Sequence, residues 1–159
     1  MRFLLLLLLS TVTFGQSIPE QVKKFQDAKR YSVEYDKFQK EHIIHVDCDL
    51  KPTKTSGVQS MIWAILGEDN SRTYALYFSA QRTLYNQPTL RLLIDGELVE
   101  VKDDDIDYSV MISIEPDLFN RIAKAKTVEV QISSFEGIVT EKCMTAFRNI
   151  VSLTKPPPR

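Results

Sequence analysis

The sequence predicts an α+β fold that is mainly antiparallel β, arranged as a sheet or a sandwich, with two or three short helices. Two observations carry this prediction. Asp95-Gly96 stands between two apolar runs, which is the strongest short-range signal for a β-hairpin. Several other segments alternate apolar and polar residues, whereas few have apolar residues at helical spacing. The hairpin is therefore the element from which the fold prediction starts.

The Asp95-Gly96 turn sets the register of the strands on either side of it. It places apolar side chains opposite each other and one basic side chain opposite an acidic one, which favours an antiparallel pair. The expected pairs are Ile94 with Glu97, Leu93 with Leu98, Leu92 with Val99 and Arg91 with Glu100. We expect this hairpin to lie in the middle of an antiparallel series that runs from the Trp63 strand to the Ile132 strand.

Residues 1–15 have the parts of an export signal. Met1-Arg2 is a short positive segment, Phe3 to Leu9 is an unbroken apolar run, and Thr13 to Gly15 offers small residues where a signal peptidase cleaves. The apolar run is shorter than the ~20 residues that a membrane-spanning helix needs. We therefore expect cleavage after Gly15 and no stable membrane insertion afterwards. The alternative is an uncleaved N-terminal anchor.

The remaining chain is expected to form a single β-rich domain over residues 16–154, followed by a Pro-rich tail over 155–159. The chain has 20 basic and 21 acidic residues, so loss of Arg2 with the signal leaves a net charge of −2. Acidic and basic residues alternate along the chain, without the basic stripe typical of nucleic-acid-binding proteins. We expect no nucleic-acid partner.

The first half of the domain is expected to contain one helix and three strands. Ser17 and Pro19 suit the start of a short helix. Glu41 to Leu50 alternates like a half-buried strand, and Val58 to Leu66 is an apolar run typical of a central strand buried on both faces. Arg72 to Gln81 is the expected partner of that central strand, after a segment dense in turn formers.

The second half continues with a strand that alternates from Ile106 to Glu115. Pro116 then favours a helix that runs to Ala125. Val128 to Ile132 alternates as a further strand, and Phe135 to Gly137 is interpreted as a turn that leads into a short strand piece. The final helix is indicated by apolar residues at helical spacing, which are Cys143, Met144, Phe147, Ile150 and Val151.

The hairpin Ile94-Asp95-Gly96-Glu97, the helix Leu118 to Ala125 and the strand Val128 to Ile132 together resemble a pattern in small exported bacterial proteins of unknown function. The resemblance covers about the last third to half of the chain. It implies the same β-rich fold and a bacterial envelope setting. Its matching residues are turn formers, helix starts and core positions, so it implies no catalytic residue and no cofactor.

Cys48 and Cys143 are the two cysteines of the chain. An exported protein reaches an oxidising compartment, where a pair of thiols tends to form a disulfide. We expect a Cys48–Cys143 bond that joins the last helix to the sheet. The alternative is two separate buried thiols packed as small apolar groups.

His45, Asp47 and Asp49 are the candidate metal ligands, because alternate residues of a strand share one face. Neighbouring members of this set are ~7 Å apart along a regular strand, which is wide for one ion. An exposed polar strand face is the favoured interpretation. His42 falls on the opposite, apolar face, where we expect a core histidine with its hydrogen bonds satisfied.

Asp103, Asp104, Asp105 and Asp107 resemble the start of a calcium loop. The glycine required at the sixth position is replaced by Tyr108, however, and the glutamate at the twelfth by Ile114. A solvated acidic linker is the favoured interpretation. The chain also has neither a nucleophile-elbow motif nor a glycine-rich phosphate loop. No catalytic residue is assigned, and no cofactor is expected.

Two functional hypotheses follow. The first is a non-enzymatic domain, periplasmic or secreted, that binds a protein or another envelope component. Its candidate binding residues are aromatic, because aromatic side chains dominate binding hot spots, and are Trp63, Tyr74, Tyr77 and Tyr85. The alternative is a metal-assisted or carboxylate-dependent enzyme that uses His45, Asp47 and Asp49.

Overall fold

The structure, a computed structural model, describes residues 22–23, 25, 30–53, 58–69, 71–80, 89–101 and 109–154. This part of the chain forms two antiparallel sheets and two helices, which confirms an α+β protein with mostly β structure. The expected signal segment 1–15, the tail 155–159, Ser17, Pro19, Tyr85 and the acidic residues Asp103, Asp104, Asp105 and Asp107 lie outside the described residues.

In chain order the strands are β1 (Tyr31–Asp36), β2 (Glu41–Asp47), β3 (Leu50–Pro52), β4 (Val58–Gly67), β5 (Arg72–Ala80), β6 (Leu90–Ile94), β7 (Glu97–Val101), β8 (Ser109–Ile114), β9 (Val128–Ile132) and β10 (Phe135–Val139). The helices are α1 (Pro116–Lys124) and α2 (Glu141–Thr154). The first sheet has the strand order β1-β2-β4-β5-β8, and the second has the order β3-β10-β9-β6-β7.

The hydrophobic core takes side chains from both sheets and both helices. Phe119 of α1 stacks on Tyr74 of β5 with ring centroids 4.1 Å apart, and Phe147 of α2 lies 5.0 Å from Phe119. A cavity of about 20 Å³ lies where residues of the two sheets and α2 meet. Because this volume holds at most about one water molecule, the layers pack closely.

The chain crosses from the first sheet to the second at Cys48 and Asp49, so the prediction of one strand over Glu41–Leu50 is wrong. Asp47 ends β2, and Leu50 begins β3 beside β10. The carbonyl of Asp49 accepts hydrogen bonds from the backbone N–H and the hydroxyl of Thr140. These contacts hold the crossing segment against the start of α2.

A disulfide joins Cys48 to Cys143, as predicted, with the two Cα atoms 4.9 Å apart. Both residues are buried. Cys48 follows the last residue of β2, and Cys143 lies in the first turn of α2. Beside this bond, the carboxylate of Asp49 pairs with Arg30 at 3.3 Å and with Lys142 at 3.1 Å. The last helix is thus joined to the crossing segment both covalently and by ion pairs.

The β6–β7 hairpin has the predicted register in every pair, from Ile94 opposite Glu97 to Arg91 opposite Glu100. Its predicted place in the fold is wrong, however. The Trp63 strand belongs to the first sheet, whereas β6 pairs with β9 in the second sheet and β7 forms an edge. Pairing between strands far apart in sequence depends on the whole core, which local alternation does not determine.

Two other strand predictions are corrected by the structure. Along β4, Ile62, Ala64 and Leu66 are buried, but the residues between them are half-buried, so this strand is not buried on both faces. Phe135 to Gly137 belongs to β10 and not to a turn, because the chain reverses one step earlier at Ser133, which has a φ of 52°. A tight turn with positive φ lets β9 and β10 pair directly.

Val22 is buried in the core, and the ring of Phe25 meets that of Tyr31 edge-on at 4.9 Å between centroids. Residues 22, 23 and 25 are helical, in agreement with the expected N-terminal helix. Within the described residues, no helix has the length and apolar character needed to cross a membrane.

The turn at Asp95-Gly96 also binds the hairpin to the rest of the second sheet. Both residues have positive φ, 48° and 88°, as the tightest hairpin turns require. The carboxylate of Asp95 accepts hydrogen bonds from the backbone N–H groups of Thr127 at 2.8 Å and Lys126 at 2.9 Å. These hydrogen bonds hold the pKa of Asp95 below its ordinary value of 3.8, and the bond from the Thr127 N–H has the largest effect.

Replacing Asp95 by asparagine is expected to lower stability at neutral pH and to matter less in acid. The pKa of Asp95 is lower in the folded than in the unfolded protein. The negative charge therefore stabilises the fold fully above about pH 5, and this stabilisation is lost as the pH falls through the pKa of Asp95 in the folded protein. Urea midpoints of wild type and D95N, measured from pH 7 down to about pH 2, should therefore converge.

Asp47→Asn provides the matched control, since it makes the same chemical change at an exposed strand position. Its midpoint should follow that of the wild type across the pH range. A gap between wild type and D95N that stays constant with pH would contradict the role assigned to the Asp95 charge.

Candidate ligand-binding groove

The three predicted metal ligands do not share one face. His45 lies on the outward face of the first sheet, and Asp47 is exposed at the end of β2. Asp49 lies beyond the strand, where its carboxylate pairs with Arg30 and Lys142. In the part of the chain that the structure describes, no three His, Cys, Asp or Glu side chains are grouped so as to hold a metal ion.

The predicted aromatic anchors have different environments. Tyr74 is 3% exposed and belongs to the core, so it is not available to a partner. Trp63 and Tyr77 are half-buried on the outward face of the first sheet, and Trp63 stacks on His45 with ring centroids 3.9 Å apart. Nε1 of Trp63 and Nε2 of His45 are shielded from solvent and have no hydrogen-bond partner among the described residues.

His42 is not the satisfied core histidine that was expected. Its ring lies 4.8 Å from that of Tyr35, and its Nε2 is buried without a hydrogen-bond partner in the described chain. Burial lowers the pKa of His42, while the nearby Glu68 carboxylate opposes that shift. Tyr35 donates its hydroxyl to Glu68 at 2.8 Å, and this bond raises the pKa of Tyr35.

A groove on the outward face of the second sheet is the site at which polar and apolar side chains converge. Side chains alternate along each strand, so the residues between the buried ones of β6, β9 and β10 point outward. On β7 the exposed Leu98 and Glu100 share this outward face with them. Strand pairing arranges them in two rows that cross the sheet. The first row is Leu98, Leu93, Glu129 and Ile138, and the second is Glu100, Arg91, Gln131 and Glu136.

The second row is held together by hydrogen bonds between side chains. Arg91 donates to Glu100 at 2.8 Å and to the amide oxygen of Gln131 at 3.4 Å. The amide nitrogen of Gln131 donates to Glu136 at 2.9 Å. This polar row fixes the side chains of four neighbouring strands in one line, so it forms an ordered wall.

The first row forms the opposite wall and is apolar on both sides of Glu129, with Leu98 and Leu93 on one side and Ile138 on the other. Leu98 is 59% exposed and lies opposite the half-buried Leu93. Glu129 continues this wall on β9. The space between the walls has a volume of about 210 Å³ and is closed at one side by Thr53, whose backbone N–H donates to the carbonyl of Glu136.

The charges of the groove are unevenly paired. The guanidinium of Arg91 is neutralised by Glu100 at 2.8 Å. The exposed carboxylate of Glu129 makes no ion pair with any residue that the structure describes. Along the first row this carboxylate lies between Leu93 of β6 and the exposed Ile138 of β10, so a single negative charge is flanked by apolar side chains.

The Arg91–Glu100 and Leu93–Leu98 pairs are predictable from the sequence, but the groove is not. The missing information was the pairing of β6 with β9, which brings Glu129 and Gln131 beside the hairpin. The alternation of polar residues in Val128–Ile132 was the only available signal, and such alternation is typical of any half-buried strand.

Comparison of this chain with protein-family models, with curated proteins and with solved structures finds no match. A fold alone does not determine a function, because unrelated activities occur on the same architecture. The function is therefore inferred from the groove and its chemistry.

Proposed function

We propose that this protein is an exported, non-enzymatic domain that binds a protein or another component of the bacterial envelope through the groove on its second sheet. Its two sheets pack as a sandwich with helical additions, and its compartment is the periplasm or the extracellular medium. The buried Cys48–Cys143 disulfide supports this setting, because such bonds persist in oxidising compartments.

The observation that carries the proposal is the ordered polar row beside an exposed leucine. Gln131 bridges Arg91 and Glu136, so the row is held in place before any partner arrives. Preorganised side chains cost less entropy when a partner binds. Leu98 is 59% exposed next to this row, and an apolar side chain with ordered polar neighbours is the usual composition of a binding site.

The alternative of an enzyme that uses His45, Asp47 and Asp49 has no comparable support. The two cations on Asp49, Arg30 at 3.3 Å and Lys142 at 3.1 Å, hold its carboxylate beside α2. His45 is stacked on Trp63 with an angle of 20° between the rings.

Photo-crosslinking in cells tests the proposed surface. With p-benzoylphenylalanine in place of Leu98, irradiation should produce a discrete adduct of higher mass. The same photoreactive residue in place of Phe38, which is 86% exposed in the turn between β1 and β2, is the matched control and should give at least fivefold less of that adduct. Equal yields from the two positions, or no adduct from Leu98, would contradict the proposed surface.

Cell fractionation tests the location separately. We expect the mature protein outside the cytoplasm, beginning at Gln16, with Cys48 bonded to Cys143. A variant that lacks residues 2–15 should remain in the cytoplasm with both thiols reduced. Recovery of wild-type protein in the cytoplasm with its first residues intact would overturn the assignment.

A further inference from the structure

The outward face of the first sheet carries an oblique band of apolar side chains, although an outward strand face is usually polar. Strand pairing places six of these side chains next to one another across β2, β4, β5 and β8. They are Ile43, Ile65, Trp63, Met61, Tyr77 and Met111. All six are at least partly accessible, and Met111 is 46% exposed. A contiguous apolar surface of this kind is typical of an interaction site, whereas scattered apolar residues are not.

Neither helix of the described chain covers this band. Phe119 of α1 stacks on Tyr74, which lies on the opposite face of β5. Phe147 of α2 lines the small cavity between the layers together with Phe78 of that same opposite face. Both helices therefore pack on the inner face of the first sheet, and the band faces away from them.

The two sides of the band differ in charge. Glu34 of β1 lies beside Ile43, and Asp47 of β2 lies beside Met61, so both carboxylates are on the same side. Both are exposed, and neither makes an ion pair with a described residue. The neighbours on the other side of the band are hydroxyl side chains, which are Thr73 and Ser113.

The basic residues nearest to this face do not neutralise its carboxylates. Lys37 and Lys40 belong to the turn between β1 and β2, beyond the paired strand residues. Arg30 precedes β1 and pairs with Asp49. Within the described strands of the first sheet, no lysine or arginine lies on the outward face. An occupant that complements this face is therefore apolar along the band and basic along one side of it.

The band also limits the backbone conformation of its occupant. Apolar side chains cannot pair with peptide groups, so the occupant needs a backbone that is hydrogen-bonded within itself, as in an α-helix. From Ile43 to Met111 the band crosses three strand intervals of about 4.8 Å and two steps of about 7 Å along the strands, which gives a length of about 20 Å. About 13 residues of helix cover that length.

We infer that the outward face of the first sheet binds an amphipathic α-helix of another protein, with its apolar stripe along the band and its lysine or arginine residues over Glu34 and Asp47. This surface is separate from the groove on the second sheet, so the inference goes beyond the proposed function and does not depend on it. An anionic phospholipid surface is a less suitable occupant, because the face carries carboxylates and no base. The same face of a second copy is also less suitable, because it adds further carboxylates.

The fluorescence of Trp63 gives a direct test, because Trp63 is the only tryptophan of the chain and lies in the middle of the band. The probes are end-blocked helical peptides of about 14 residues with leucines on one face and lysines on the other, and matched peptides with glutamate for lysine. A third peptide keeps the leucine and lysine composition in an order without an apolar face.

The lysine helix should shift the Trp63 emission to shorter wavelength, since binding removes water from the band. It should bind at least ten times more tightly than the other two peptides, and its affinity should fall as salt is raised because the charges are exposed. Equal binding of the lysine and glutamate helices, or no shift with any peptide, would overturn the inference.

Two substitutions on this face should weaken binding of the lysine helix, and each has a matched control. Asp47→Lys should weaken binding at least fivefold, whereas Asp117→Lys, the same change at an exposed position of α1, should alter it less than twofold. Met111→Lys should weaken binding at least tenfold, and Phe38→Lys in the β1–β2 turn less than twofold. Equal effects of a variant and its control would contradict the assigned surface. Melting temperatures close to that of the wild type separate loss of binding from loss of fold.

The other occupants give different results with the same protein. A shift of the Trp63 emission with phosphatidylglycerol vesicles, but not with the lysine helix, would assign the face to a membrane. A dimer in sedimentation velocity that Met111→Lys dissociates would assign it to a second copy. Either result would overturn the inferred partner, and neither would affect the crosslinking test at Leu98 of the second sheet.

Discussion

Replacing Phe119 by alanine is expected to lower the free energy of unfolding by about 3–5 kcal/mol, the range found when a fully buried aromatic side chain is removed. Phe119 is 0% exposed. It stacks on Tyr74 at 4.1 Å and contacts Phe147, which lies 5.0 Å away between centroids. The ring thus joins α1 both to β5 of the first sheet and to α2. Its loss leaves a cavity where three elements meet, which the surrounding backbone cannot fill fully.

Urea unfolding, followed by far-ultraviolet circular dichroism, measures this effect. Phe38→Ala is the matched control, because Phe38 is 86% exposed and its loss should cost at most about 0.5 kcal/mol. If F119A does not fold, Phe119→Leu keeps most of the volume and should show a smaller loss in the same direction. Equal midpoints for wild type and F119A would contradict the central position of this ring.

Reducing the Cys48–Cys143 bond is expected to lower stability by about 4 kcal/mol, because the bond closes a loop across 95 residues of sequence. The crosslink limits the conformations of the unfolded chain, and longer loops limit it more in the chain-entropy model. In the folded protein, Arg30 and Lys142 still hold Asp49 after reduction. We therefore expect the reduced protein to fold, with its last helix in place, at lower urea midpoint.

Urea unfolding with and without a phosphine reductant makes this comparison on one protein. A Cys48→Ala/Cys143→Ala variant is the control, and its midpoint should not respond to the reductant. Both cysteines are buried in the native state, so reduction should be slow until the protein is partly unfolded. Identical midpoints for the oxidised and reduced wild type would show that the bond does not stabilise the fold.

Local chemistry explains why some elements were predicted well. The Asp95-Gly96 turn has the positive φ angles that only a few residue types adopt easily, so its position also determined the register of β6 and β7. Pro116 marks the start of α1 for a similar reason, since proline has no N–H to lose in the first helical turn. The disulfide was predicted from the export signal expected at residues 1–15 and from the two cysteines of the chain, and the structure contains it.

The tertiary structure was needed wherever a residue acts through a distant partner. The sequence indicated Asp95 only as a turn former, but its carboxylate accepts hydrogen bonds from backbone N–H groups 31 and 32 positions further along the chain. In the same way, Glu41–Leu50 alternates as one strand, yet the chain leaves the first sheet at Cys48. The alternation of apolar and polar residues shows which face of a strand is buried, but it does not show to which sheet the strand belongs.

The sequence by itself thus determined the β-rich class and the hairpin register, and it favoured a Cys48–Cys143 bond over two free thiols. The assignment of strands to two sheets, and the groove that results from it, were decided only by the tertiary structure. Glu129 and Gln131 come beside Arg91 and Leu93 because β9 pairs with β6, 34 residues or more apart by number. Such pairings depend on how well the entire core packs, since the entropy lost in closing a long loop must be offset by contacts made elsewhere.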